Sequence, residues 1–223
     1  MRTKTLLIAA TALAAGIISS EAQTVYSVNV VGYANVITPA GQLALISNPL
    51  DLDGINNITN VLKNTPNGTQ VQIWNGAGYT PVTRSSFGVG AWSANATNAF
   101  LPPGTGFFIK TPSAFTNTFI GNVVPAISTS NNLALPAGTL VLAGTVLPVS
   151  GTLTNSADQG PDTLNLGVLP PGTQLQLWNG NGFTPVTRSS FGATLWNGNP
   201  TISLGQGLFI KTPVATNWSQ SFQ

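Results

Sequence analysis

Short runs of β-branched and aromatic residues alternate with polar ones along this chain, and each run ends at Gly, Pro or Asn. Residues 25–31 put Val25, Ser27, Asn29 and Val31 on one face and Tyr26, Val28 and Val30 on the other, which predicts a strand. After Pro39-Ala40-Gly41 the pattern predicts a strand over Leu43–Ser47. Residues 69–74 and Tyr79–Thr83 flank Asn75-Gly76-Ala77-Gly78, a hairpin signature that sets Trp74 opposite Tyr79. Further strands are expected at Gly106–Lys110, after Pro102-Pro103-Gly104, and at 116–120. Only 55–62 has helical spacing, through Ile55, Ile58, Val61 and Leu62, with Asp53 as the expected N-cap.

The pattern then repeats. Residues 71–92 read VQIWNGAGYTPVTRSSFGVGAW and residues 175–196 read LQLWNGNGFTPVTRSSFGATLW, a match without a gap. Leu133 to Gly138 matches Val36 to Gly41, and GQGLFIKTP from Gly205 matches GTGFFIKTP from Gly104. Between these blocks the second copy has an insertion around 150–161 and a small loss near Asn199, as exposed loops allow. Self-similarity over this length marks a tandem duplication, with copies at 23–125 and 126–223, each within the usual domain range. The expected fold is all-β: two related β-sandwich or partly closed barrel lobes, with at most a short helix per lobe. The junction near 122–131 is short and partly apolar, so the lobes are expected to pack together. The ending at 218–223 suggests an edge strand available for pairing.

The first copy carries the order Gly41, Leu43, Leu45-Ile46, Asn48-Pro49-Leu50, then Trp74-Asn75-Gly76, then Leu101-Pro102 and Gly104-Thr105-Gly106-Phe107-Phe108-Ile109, and the second fits most of it. This order resembles a duplicated, secreted bacterial all-β module of uncharacterised function. The resemblance implies an exported or cell-surface location more than an activity. The second copy departs from it at Thr145-Val146-Leu147 and Ser203-Leu204, so equal roles for the copies do not follow.

The N-terminal residues point the same way. Arg2 and Lys4 precede an apolar run from Leu6 to Ile18, followed by Ser20 and Ala22, so 1–22 reads as a cleaved signal peptide and the mature chain as starting at Gln23. The run is too short to span a bilayer, and no later segment approaches that length. The expected address is outside the cytoplasm: extracellular, periplasmic or on the cell surface.

Composition narrows the chemistry. The chain has neither Cys nor His, which removes thiol nucleophiles, imidazole bases, disulfides and the usual zinc ligands. Charged residues make up 5% of it, against roughly 25% in an ordinary globular protein. Beyond the leader stand five bases (Lys63, Arg84, Lys110, Arg188, Lys211) and four acids (Asp51, Asp53, Asp158, Asp162), too few and dispersed for nucleic-acid binding. The acids share one loop position of the repeat, while Arg84 matches Arg188 and Lys110 matches Lys211. A structural ion pair, with Arg84 gripping the acidic loop, is the favoured assignment; a ligand site per copy and solvated charges are the alternatives. Asp51-Leu-Asp53-Gly54-Ile-Asn56 has the alternating oxygens of a calcium loop but lacks a third acid or a following Glu, so no metal is expected. Glycoside hydrolysis by the Asp loops is a weaker alternative, because the paired acids sit two apart on one loop.

Trp74, Tyr79, Trp92, Trp178, Phe183 and Trp196 fit two roles: cross-strand pairs covering the core edge, or a flat platform for a neutral glycan. Their hairpin positions favour the first. Gly104-x-Gly106 opens a strand, so it is no phosphate loop. The expected protein is a secreted structural, adhesive or surface component without catalytic residues or cofactor. Its partners would be a second copy or an extracellular glycan or matrix, with carbohydrate binding by the hairpin aromatics as the alternative function. Asn57, Asn67, Asn95 and Asn217 head Asn-x-Ser/Thr sequons, which matter only in a glycosylating host.

Overall fold

The computed structural model describes residues 31–88, 90–124, 132–153, 164–191 and 196–220. The expected strand at 25–31 and the leader lie outside the described residues, apart from Val31. In the first copy, strands β1 (Val31–Thr38), β2 (Leu43–Ser47), β3 (Gln70–Trp74), β4 (Tyr79–Thr83), β5 (Gly106–Lys110) and β6 (Phe115–Asn122) follow in order. They form an antiparallel sheet β2-β5-β3-β4 and a separate ribbon β1-β6. Alternation sets the ribbon's faces: Ala34, Val36 and Phe119 turn into the lobe core, while Tyr33, Ile37 and Ile120 stay exposed. β5 has no such alternation because both of its faces are covered. Phe107 and Ile109 enter the lobe's own core, and Phe108 enters a cluster shared with the second copy.

The helical segment is shorter than expected. Helix α1 spans Ile58–Val61, and its N-cap is Asn57, whose side chain accepts from Asn60 N. Asp53 does not cap it. Asp53 sits in a left-handed turn (φ 50°) ahead of Gly54, and one backbone bond, from Ile55 N to Leu52 O, closes that turn before the helix begins.

The second copy rebuilds the same plan. Strands β7 (Asn132–Leu135), β8 (Leu140–Ala143), β9 (Gly151–Thr152), β10 (Gln174–Trp178), β11 (Phe183–Thr187), β12 (Thr201–Ile202), β13 (Leu208–Lys211) and β14 (Thr216–Ser219) follow. The main sheet runs β8-β13-β10-β11, β7 pairs with β14 as β1 does with β6, and β9-β12 is a small added pair. A 3-10 turn at Leu166–Val168 replaces the helix. None of these sheets closes on itself into a barrel, so the lobes are sandwich-like. At the chain end β14 pairs, among the described residues, only with β7 and so is an edge strand, as expected, although Trp218 is fully buried in the second core; residues 221–223 lie outside the described residues.

The two lobes are joined by a seam of reciprocal bonds. Ser47 N donates to Gly205 O at 2.8 Å, and the matching Gly144 N donates to Gly104 O at 2.9 Å. Ile46 bridges Gln206 as Ala143 bridges Thr105. Such an approach requires glycine. A Cβ on Gly106 would lie 2.8 Å from Ala143 O, one on Gly207 2.9 Å from Ile46 O, and one on Gly144 would collide with Ser47 Oγ. The Gly-x-Gly-aromatic motif is therefore the sequence's provision for docking the lobes.

Gly106→Ala should destabilise the protein by about 1–3 kcal/mol, the usual cost of overpacking, because the obstructing atoms are backbone. Calorimetry should show the melt broadening or splitting as the lobes uncouple. Gly182→Ala, with nothing within 4 Å of the new methyl, should leave the melt unchanged.

Candidate functional site

The hairpins hold the aromatic residues. In each, the Asn side chain after the Trp accepts from two loop amides (Asn75 Oδ1 from Ala77 N and Gly78 N, Asn179 Oδ1 from Asn181 N and Gly182 N), fixing a four-residue turn. Trp74 then lies opposite Tyr79, ring centroids 5.0 Å apart, and Trp178 opposite Phe183 at 5.1 Å, as their spacing predicts. What the spacing does not reveal is the third partner. Trp74 Nε1 donates to Leu140 O of the second lobe at 2.9 Å, and Trp178 Nε1 donates to Leu43 O of the first at 2.9 Å. Each indole also meets a phenyl ring of the other lobe edge-on, Trp74 with Phe209 and Trp178 with Phe108.

These rings belong to the seam, in a cluster with Leu45, Phe108, Leu142 and Phe209. Tyr79 and Phe183 form its partly exposed rim. Trp92 and Trp196 lie elsewhere, packed against the first and second lobe cores respectively, with the Arg84 guanidinium 6.0 Å from the Trp92 ring. The six aromatics thus form no single flat platform. Partial burial holds the Tyr79 hydroxyl above its ordinary pKa of 10.0, because desolvation disfavours the phenolate.

The charged residues do not meet as expected. Arg84 donates through Nε to Gly90 O at 3.0 Å and through Nη1 to Lys63 O at 2.8 Å and to Thr65 O, tying two loops by their carbonyls. Asp51 Oδ1 accepts from Gly54 N and Asn56 Nδ2, and Asp53 Oδ1 from Asn122 Nδ2. The expected Asp–Arg84 ion pair is replaced by amide–carboxylate and guanidinium–carbonyl bonds. These satisfy the same groups locally, without bringing the acidic loop to Arg84. Arg188 keeps the backbone place of Arg84, bridging Trp196 as Arg84 bridges Trp92. Lys110 and Lys211 end β5 and β13 with exposed side chains, while Asp158 and Asp162 lie outside the described residues. Among the described residues no three of His, Cys, Asp and Glu group as a metal site.

One pair of residues escaped the sequence-based expectations. Phe87 and Phe191, at equivalent positions of the two copies, are 85% and 87% exposed. Each sits in a turn closed by a Ser hydroxyl two residues earlier: Phe87 N donates to Ser85 Oγ at 3.1 Å, and Phe191 N to Ser189 Oγ at 3.2 Å. The signal was present, since Arg-Ser-Ser-Phe-Gly occurs in both copies and places a large apolar residue inside a polar turn.

No family model, curated protein or solved structure matches the chain. Among the described residues no helix is long and apolar enough to cross a membrane.

Trp74→Ala or Trp178→Ala should destabilise the protein by about 3 kcal/mol, at the low end for a large aromatic because both rings are half-buried. Trp74→Phe should lose about 0.5–1.5 kcal/mol, the share of the indole bond to Leu140 O. Denaturant unfolding separates these values.

Tyr79 gives a pH prediction. A raised folded pKa means its contribution to stability is complete below the unfolded value of 10.0 and is lost as pH rises through the folded value. The alkaline fall in melting temperature should therefore shrink in Tyr79→Phe, and the tyrosinate absorbance difference between the two proteins should titrate above 10.0.

Proposed function

We propose that this protein is an exported, non-catalytic structural or adhesive component of the cell surface or extracellular matrix. It would hold its partner through the two exposed phenylalanines. Export rests on the leader-like residues 1–22, and the surface role on a chain almost without charge. The observation that carries the adhesive part is the presentation of Phe87 and Phe191. Exposed aromatics held on ordered turns lose little entropy on binding, and two copies on one docked body bind with avidity. The same burial pattern weighs against the hairpin aromatics as the binding surface, since Trp74 and Trp178 serve the seam. The partner would be a second copy or an insoluble extracellular glycan or matrix.

Fractionation of native cells should place the protein outside the cytoplasm. Phe87→Ser with Phe191→Ser should leave the melting temperature nearly unchanged, since exposed positions shift stability by about 0.5 kcal/mol or less. Retention on isolated cell envelopes should fall about 100-fold or more, and each single variant should fall less. Wild-type retention by the double variant, or a cytoplasmic protein, would sink the proposal.

A further inference from the structure

The two copies differ in chemistry beside β6 and β14. In the second lobe Trp218 is fully buried, its Nε1 donating to Leu164 O at 2.6 Å, and Asn165 Nδ2 donates to Ser219 O at 2.7 Å. Strand register places Asn117 at the position of Trp218: Asn117 pairs with Val36, and Trp218 with Leu133, the match of Val36. Counting back from the matched Thr69 and Thr173, Asn60 stands for Leu164, Lys63 for Gly167 and Asn64 for Val168. An indole and a leucine are thus replaced by amides, and a cation is added. A cavity of about 310 Å³ opens there in the first lobe, lined by Asn48, Leu50, Asn60, Lys63, Asn64 and Asn117 among others.

Two features of this cavity call for a polar occupant. Asn117 is 3% exposed, yet its Nδ2 has no hydrogen-bond partner among the described residues, an arrangement that costs free energy unless an acceptor enters. Among the described residues β6 also has no second strand partner on the side of this cavity. Asn122 N–H and C=O both bond Asp51, so residues of the same parity (Thr116, Thr118 and Ile120) aim their peptide groups away from β1 and along the cavity. In the second lobe the matching carbonyl, Ser219 O, is taken by Asn165. Lys63 is exposed among the lining residues, and among the described residues no carboxylate lines the cavity.

We propose that this cavity binds the ring of a sugar acid, a polyhydroxylated carboxylate of monosaccharide size. Asn117 Nδ2 donates to a ring or hydroxyl oxygen. The N–H and C=O groups of the β6 edge engage hydroxyls, which both donate and accept, and Lys63 pairs with the carboxylate. An extended peptide suits the site less well. Asp51 closes the edge at Asn122, leaving roughly 14 Å of strand between residues 116 and 120. The site is separate from Phe87 and Phe191, so its fate does not follow theirs.

The test is calorimetric titration of the whole protein with D-glucuronate, D-glucose and acetate. Glucuronate should bind saturably, glucose about tenfold or more weaker, and acetate not measurably. Added salt should weaken glucuronate binding and leave glucose unaffected. Asn117→Trp and Asn60→Leu, which install the second lobe's residues, should each abolish binding, and Lys63→Gln should bring glucuronate to the level of glucose. Should Asn117→Trp fail to fold, Asn60→Leu and Lys63→Gln decide alone. The proposal fails if glucuronate does not saturate, if glucose binds equally well, or if folded Asn60→Leu or Lys63→Gln binds glucuronate as the wild type does. Saturable binding of a Thr/Val hexapeptide in place of glucuronate would also overturn it.

Discussion

Close backbone approach across the seam is the constraint on which the architecture depends. Peptide groups of β2 and β8 can reach the segments before β13 and β5 only because hydrogen occupies the side-chain position at Gly106, Gly144 and Gly207. Once the backbones meet, Leu43 O and Leu140 O come within reach of the indoles of the opposite lobe. Phe108 and Phe209 then lose their exposed faces. A methyl group at the seam therefore threatens the backbone bonds, the indole bonds and the aromatic cluster together. Their energies are coupled rather than independent.

The seam also accounts for a chain that holds together without disulfides and with few charges. β5 and β13 are covered on both faces, one by a lobe core and the other by the second lobe, so they read as unbroken apolar runs. Arg84 adds order at the periphery by bonding three carbonyls of two loops, a task its fixed fork of donors performs without a carboxylate.

Local features of this structure were readable in the sequence because they depend on neighbours. The strands at Leu43–Ser47, Tyr79–Thr83 and Gly106–Lys110, the Trp74–Tyr79 pairing and the repeated sheet order all follow from alternation and turn chemistry. The cap on α1 was misplaced because Asp53 and Asn57 are equally good caps by composition, and the left-handed turn at Asp53 decided between them. The seam was hidden for another reason. Trp74 and Leu140 meet across a long separation, and an indole aimed at another lobe has the same local sequence as one aimed at its own core. The Asp–Arg84 pair failed likewise, since matched charges in a repeat do not say whether loops converge. Asn117 against Trp218 was legible once the repeat match was carried past Pro112 and Pro213.

Each copy offers the other what it receives: an indole donor, a leucine carbonyl, a glycine gap and a phenyl edge. Such a surface is self-complementary, the isologous kind by which two identical chains form a two-fold dimer. A single repeat would already carry every part needed to pair with its twin. Joining the twins in one chain replaces encounter between molecules with a high effective concentration, so association no longer depends on abundance. It also releases the copies from identity away from the seam, and one of them carries Trp218 where the other has Asn117.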